Sequence, residues 1–249
     1  MYKNILVISD NLILCEAFDK IYLSLNLQDS NLDYAISHFS NKQYFQSKLG
    51  REIYVFNLRI NSLIEEILNK YDLVISLHCK QLFPPKLVRN LKCINIHPGY
   101  NPINRGWFPQ VFSIIYDLPI GATIHEIDED LDHGNIIVRE KIEKYSYDTS
   151  ETLYNRIIEK EIDLLNNNLL SIISNTYSVI TPEDEGNLYL KRDFEELLEI
   201  NLDHYTKIGD LINRLRALSH GNYNNAFFYD KSTGRKVYIS LKLNHENNG

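Results

Sequence analysis

Asn95 and His97 stand two residues apart in the apolar run Cys93-Ile94-Asn95-Ile96-His97, and Asp132 follows in the polar stretch Asp128 to Gly134. On a β-strand, residues i and i+2 share a face, so Asn95 and His97 can point to one side at the strand's end. A loop folding back to that end brings Asp132 to them. An amide, an imidazole and a carboxylate converging on one point are the parts of an acyl-transfer site. The amide N–H can hold a developing oxyanion. The imidazole can donate to it or move a proton, and the carboxylate can orient the imidazole or a water. None of the three is an obvious covalent nucleophile, so direct attack by an acceptor fits better than a covalent intermediate. On spacing alone the signal is weak, since a lone histidine after a strand is more often structural.

The elements that must position these groups are legible as alternating apolar strands and helices. Ile5 to Ser9, Tyr54 to Leu58, Asp72 to Leu77 and Cys93 to Ile96 read as strands. Helical spacing runs over Leu12 to Leu25 and over about Ser62 to Lys70. Short, continuously apolar strands separated by helices predict a parallel sheet covered on both faces. Trp107 to Tyr116 reads as a helix with Pro109 in its first turn, where proline is tolerated. Ala122 to Ile127 and Ile136 to Glu140 read as strands flanking the Asp128 to Gly134 loop. A long helix is expected from Ser150, read as its N-cap, to about Ser174. The polar stretch Thr181 to Gly186 reads as a linker. It divides the chain into residues 1–182 and a small C-terminal segment, 183–249. Beyond it, Asp193 to Leu198 and Tyr205 to Leu218 look helical. Ala226 to Tyr229 and Lys236 to Ile239 read as a β-hairpin, and His245 to Gly249 as a loose tail.

Composition narrows the function classes. The chain has 249 residues, 44% hydrophobic and 24% charged, which is ordinary for a globular protein. A net charge of -7 argues against a nucleic-acid partner, which a basic face would mark. No apolar run approaches the roughly 20 residues of a membrane span. Three unpaired-looking cysteines argue against a disulfide framework or a zinc ribbon. The cytoplasm is therefore the expected compartment.

Taken together, Asn95-Ile96-His97-Pro98, Arg105-Gly106, Gly121-Ala122-Thr123-Ile124-His125 and Asp130-Leu131-Asp132-His133-Gly134 resemble the formyltransferases that use N10-formyltetrahydrofolate. Their pattern is N-x-H-P, R-G, G-x-T-x-H and D-x-G in this order, and four ordered elements are far more specific than one. The resemblance implies an α/β, Rossmann-like catalytic domain with a mostly parallel sheet, and Asn95, His97 and Asp132 as the catalytic trio. It implies a pterin held by the backbone around Cys79, Gln81 and Leu82 and by the Ile127, Asp128 and Asp130 loop. The tRNA and purine enzymes usually continue N-x-H-P with S-L-L-P, whereas this chain has Gly99-Tyr100-Asn101-Pro102. That version is similar to the small N-formyltransferases of dTDP-amino-deoxysugars, whose products usually enter surface polysaccharide such as O-antigen. Glycinamide ribonucleotide, another amino-sugar nucleotide, or a module that binds folate or nucleotide without turnover are the rival readings.

The remaining candidates each have a plainer alternative. Lys80, Arg105, Lys191 and Arg192 are possible phosphate partners, against the usual fate of a solvated surface. Trp107 contacts substrate or packs under its loop. Tyr223, among Gly221, Asn222, Asn224 and Asn225, stacks on a base or merely packs. His125 and His133 with Asp128 and Asp132 have no recognised zinc spacing, so no metal is expected. A two-stranded hairpin is marginal alone, so Ala226 to Leu243 needs a cover. The chain's own catalytic domain is one candidate, and a second copy in a homodimer is the other. Resemblance to the small sugar enzymes favours the homodimer.

Overall fold

The computed structural model describes residues 1–244, so the His245 to Gly249 tail lies outside the described residues. In chain order the first half runs β1 (Asn4–Ser9), α1 (Leu12–Ser24), β2 (Asn31–Ser37), α2 (Lys42–Leu49), β3 (Ile53–Phe56), α3 (Asn61–Lys70), β4 (Leu73–Leu77), α4 (Pro85–Asn90) and β5 (Lys92–His97). Then come β6 (Arg105–Gly106), α5 (Pro109–Ile115), β7 (Ile120–Glu126), β8 (Ile136–Ile142) and α6 (Ser150–Ile173). The last part holds β9 (Leu188–Tyr189), α7 (Lys191–Glu195), α8 (Ile208–Leu218), β10 (Ala226–Tyr229) and β11 (Lys236–Ile239).

The main sheet has seven strands in the order β3-β2-β1-β4-β5-β7-β8. The first five are parallel, while β7 runs antiparallel to β5 and β8 antiparallel to β7. This is the expected mostly parallel α/β sheet. Helices on both faces bury β1 from Ile5 onward and all of β4, which is why their sequences are apolar without alternation. The direction of strand addition reverses between β1 and β4. Ligands of open α/β sheets collect outside the carboxyl ends of the strands at such a reversal. The ends of β4 and β5, and therefore His97, lie on that rim.

Several elements differ from the sequence expectation. Strand β2 was not expected, because its first half, Asn31-Leu32-Asp33, is polar and partly exposed and only Tyr34 to Ser37 is buried. Helix α2 is short and buries only Phe45, and α4 has six residues behind Pro84. The N-cap of α6 is Thr149 rather than Ser150. Thr149 and Thr152 cap each other's backbone N–H groups, and Ser150 is buried in the first turn. Helix α5 starts at Pro109, since Phe108 takes the left-handed conformation with φ 52°.

The segment after residue 182 does not form a core of its own. Ile200, Ala217, Leu218 and Ala226 share one buried cluster with Val111 and Ile114 of α5, Ile120 of β7 and Leu153 and Ile157 of α6. The expected linker is also zipped down. Strand β9 pairs with β6, Asn187 N–H donates to the Pro102 carbonyl at 3.1 Å, and Trp107 N–H donates to Tyr189 at 2.8 Å. Gly186, at φ 64°, allows this approach, because a Cβ there would stand 1.9 Å from the Pro102 oxygen. The C-terminal segment thus braces the 101–107 loop, which closes over the end of β5.

Candidate active site

Strand register assembles the site. Residues β5 Asn95 and β7 His125 are direct partners, as are His97 and Thr123. The β7–β8 loop then carries Asp132 back over the end of β5. Asp132 itself sits at φ 49°, a turn conformation that aspartate tolerates better than most residues.

Four groups surround the Asp132 carboxylate. Asn95 Nδ2 donates to Oδ1 at 3.0 Å, and the Gly106 N–H donates to Oδ2 at 3.0 Å. His97 Nδ1 lies 3.4 Å from Oδ2 and His125 Nε2 lies 3.4 Å from Oδ1. His125 gives its Nδ1–H to the Glu126 carbonyl at 2.7 Å, which leaves Nε2 to accept from the Asn95 amide at 3.3 Å. Both N–H bonds of Asn95 are therefore engaged, and the longer one is the one to exchange for a substrate oxygen.

Burial sets the charge states. His97 and His125 are buried, and the Asp132 side chain is only 10% exposed. Burial alone would raise the Asp132 pKa. Attraction to His97 and the hydrogen bond from the Gly106 N–H outweigh it and hold the carboxyl below the usual carboxylate range, so it is ionised at neutral pH. Burial lowers the His97 pKa, and the Asp132 charge opposes that shift in part. The result is a buried, preorganised carboxylate–imidazole–amide cluster at a strand end. It has the composition to polarise a carbonyl and accept a proton from an attacking amine.

The family described as Formyl transferase matches residues 35–169, more than half of the chain. The chain belongs to the formyl transferase family. The N-formyltransferase dimerization C-terminal domain matches residues 193–245. A dTDP-4-amino-4,6-dideoxyglucose formyltransferase of Mycobacterium tuberculosis is 45% identical over 202 residues, covering 81% of this chain and 86% of that protein. The crystal structure of a 4-N formyltransferase from Francisella tularensis is 41% identical with a TM-score of 0.91, covering 98% of this chain and 99% of the other. The N-formyltransferase of Helicobacter canadensis, solved with folinic acid and dTDP-3-aminofucose, shares the fold at 19% identity and a TM-score of 0.70, covering 100% of this chain and 93% of that one. Within its family this formyl transferase stands with the sugar N-formyltransferases, which bears out the resemblance carried by the four ordered motifs.

This formyl transferase places the other sequence candidates unevenly. Arg105 requires a correction. It is buried, and its guanidinium donates to the Leu131 carbonyl at 3.0 Å, to the Glu185 carbonyl at 2.8 Å and to Glu185 Oε2 at 3.0 Å. Its Nε and Nη1 donors go to protein oxygens, so it pins the Asp132 loop to the 185 stretch instead of standing free for a phosphate. Gln81 is likewise committed, since its amide accepts from Leu58 N–H at 3.0 Å and donates to the Phe56 carbonyl at 2.9 Å. Only its backbone remains for the expected pterin contact. Burial pushes the Cys79 thiol up to about 12, so it is an unreactive packing group. Leu82 and Asp130 are exposed.

Ile127 and Asp128 line a cavity of about 510 Å³ together with Val88, Leu91 and Cys93, beside the loop that carries Asp132. Lys80 is exposed, and its backbone N–H donates to Asp10 at 2.7 Å. Lys191 and Arg192 are exposed on α7, beside Glu195 and Asp193 at 3.4 and 3.7 Å. Trp107 is 36% exposed and packs against Phe108. Tyr223 is 71% exposed, 5.8 Å from the His220 ring. Among the described residues no group of three or more His, Cys, Asp and Glu is placed to hold a metal ion, and no helix is long and apolar enough to cross a membrane.

His125 was not expected at the centre of the site, although it ends the G-x-T-x-H motif. Its position opposite Asn95 depends on strand register, which the motif alone does not reveal. A second polar cluster, at the β1–β4 reversal, also escaped the sequence. His78 Nε2 meets the fully buried Glu161 at 2.7 Å, and His78 Nδ1 lies 3.1 Å from the Tyr154 hydroxyl.

Replacing Arg105 by methionine separates its two readings. A hydrogen bond from a charged group is worth about 1.5–3 kcal/mol, so the variant loses several kcal/mol of stability at most and frees the Asp132 loop. The expected outcome is a lower Tm and a lower kcat, with KM for the sugar nucleotide nearly unchanged. A raised KM at unchanged kcat would restore the phosphate reading.

Proposed function

We propose that this sugar N-formyltransferase transfers a formyl group from N10-formyltetrahydrofolate to the amine of a dTDP-4-amino-4,6-dideoxy sugar. The observation that carries the acceptor is the relative at 45% identity, a dTDP-4-amino-4,6-dideoxyglucose formyltransferase matched over 86% of its length. The donor is supported by the folinic acid bound in the Helicobacter canadensis N-formyltransferase of the same fold. It is also supported by the cavity against Val88, Leu91, Cys93 and Ile127. Val88, Leu91, Cys93 and Ile127 offer the donor apolar contacts among Arg89, Asn90, Lys92, Glu126, Asp128 and Glu129, a mixed lining that suits a flat pterin with polar edges.

The donor supplies an activated formyl carbon. The chain's residues do the rest. The site holds the neutral sugar amine in line with that carbon, where the new C–N bond forms. Asn95 Nδ2 and, with the ring as imidazolium, His97 Nδ1 donate to the oxyanion that develops there. Asp132 takes the proton lost by the amine, directly or through a water, and returns it as the bond to N10 breaks. Tyr223, Lys80, Lys191 and Arg192 are the residues proposed to contact the nucleotide, all four being exposed. Tyr223 is the one proposed to stack on the pyrimidine.

The C-terminal hairpin supports a homodimer. Its face with Ala226, Phe228 and Ile239 packs on the shared core, which answers half of its need for a cover. Tyr229, Val237 and Tyr238 remain 45%, 39% and 49% exposed within the stretch matched by the dimerization domain. Light scattering of the full chain at micromolar concentration is expected to give a dimer mass, and Tyr238→Glu, on the face turned away from the core, a monomer. A dimer that survives that charge places the contact elsewhere.

The acceptor is tested with a panel of 3-amino and 4-amino dTDP sugars, a UDP-amino sugar and glycinamide ribonucleotide, each with the folate donor. Mass spectrometry is expected to show a gain of one formyl group on the dTDP-4-amino sugar. His97→Ala should lose about 10²–10³ in rate, as removal of one oxyanion donor does. Formylation of glycinamide ribonucleotide in preference to every sugar nucleotide would overturn the acceptor.

A further inference from the structure

His97 Nε2 lies 2.7 Å from the backbone carbonyl oxygen of Asn104. A carbonyl can only accept, so Nε2 must carry the proton. In the neutral ring the lone pair then sits on Nδ1, 3.4 Å from Asp132 Oδ2. The carbonyl reaches the ring only because residue 99 has no side chain. A Cβ on Gly99 would stand 2.5 Å from His97 Nε2 and 2.6 Å from the Asn104 oxygen, directly in the hydrogen bond. The requirement is for space and not for an unusual torsion. The turn is held at three other points. Asn104 is fully buried and its Oδ1 accepts the Tyr100 N–H at 3.0 Å. Ile103 N–H donates to the Tyr100 carbonyl at 3.0 Å, and Thr123 Oγ1 donates to the Gly99 carbonyl at 2.7 Å.

We propose that Asn104, through its backbone carbonyl, and Gly99, by leaving room for it, are positioning residues that lock His97 as the Nε2–H tautomer. The second proton of the imidazolium is then on Nδ1, where it faces Asp132 and the oxyanion. The proposal rests on the reading of His97 as the donor to the oxyanion.

The groups facing His97 come from three elements and the turn. Asp132 on the β7–β8 loop, Glu161 on α6 and the Asn104 carbonyl favour the imidazolium, while His125 on β7 and burial oppose it. Protonated at both nitrogens, the ring donates to Asn104 on one side and faces Asp132 on the other. Losing the Asn104 contact takes away one favourable partner. The ring then gives up its proton at lower pH, and the alkaline fall of kcat moves to lower pH.

Two measurements test this. In protein labelled with ¹⁵N-histidine, long-range ¹H–¹⁵N correlation reads the tautomer of each ring, and His97 is assigned by loss of its signals in His97→Gln. The expected result is a protonated Nε2 at every pH at which the protein is folded. A neutral His97 with the proton on Nδ1 overturns the proposal, whether or not any variant folds. Gly99→Ala is expected to lower kcat by about 10²-fold, the lower end of what a positioned acid–base group contributes. The KM values should be unchanged and the alkaline limb should move to lower pH. A folded Gly99→Ala with native kcat and native pH profile also overturns it. Full turnover by His97→Ala would instead remove the underlying reading of the site, a failure distinct from either of these.

Discussion

A carboxylate taken out of water survives only if both of its oxygens are answered. Asp132 imposes that constraint on everything around it. Oδ1 is answered from β5 by Asn95 and approached from β7 by His125, and Oδ2 is answered by the Gly106 N–H and approached by His97. One charge therefore fixes the relative positions of two antiparallel strands, the 101–107 loop and its own β7–β8 loop. Its backbone is held as well, since Asn101 Nδ2 donates to the Asp132 carbonyl at 3.0 Å. The same contacts that satisfy the charge orient the amide and the imidazole, so preorganisation of the site and stability of the loop are one property.

The brace behind that loop comes from the far end of the chain. Arg105 ties Leu131 to Glu185, and β9 runs beside β6. A division at residue 182 cuts through this brace. Residues beyond it supply part of one buried cluster and the strand that closes the 101–107 loop. The C-terminal segment thus has two faces, one that completes the catalytic half and one, with Tyr229 and Tyr238, that is left exposed.

Much of this was legible in the sequence because it depends on local chemistry. Alternation put Asn95 and His97 on one face, and four ordered motifs brought Asp132 to them. The apolar β1 and β4 announced a sheet buried on both sides. What the sequence hid depends on tertiary partners. Arg105 reads as a phosphate ligand until the carbonyls of Leu131 and Glu185 are seen around it. The Gln81 side chain gives no sign in the sequence that its amide is spent on the backbone of Phe56 and Leu58. His125 reads as a strand residue until register sets it opposite Asn95. Strand β2 was missed because its polar start resembles a loop, and the cap of α6 shifted by one because the adjacent Thr149 and Ser150 are both competent caps.

The central claim is that the buried Asp132 charge organises formyl transfer. The most direct measurement is the single-turnover rate of Asp132→Asn with N10-formyltetrahydrofolate and dTDP-4-amino-4,6-dideoxyglucose, with circular dichroism confirming the fold. An amide at this position keeps the shape but loses the charge and the proton acceptor. The account predicts a rate lower by at least about 10²-fold, the scale of a lost acid–base group, with a native spectrum. A folded Asp132→Asn that transfers the formyl group at the native rate would contradict it.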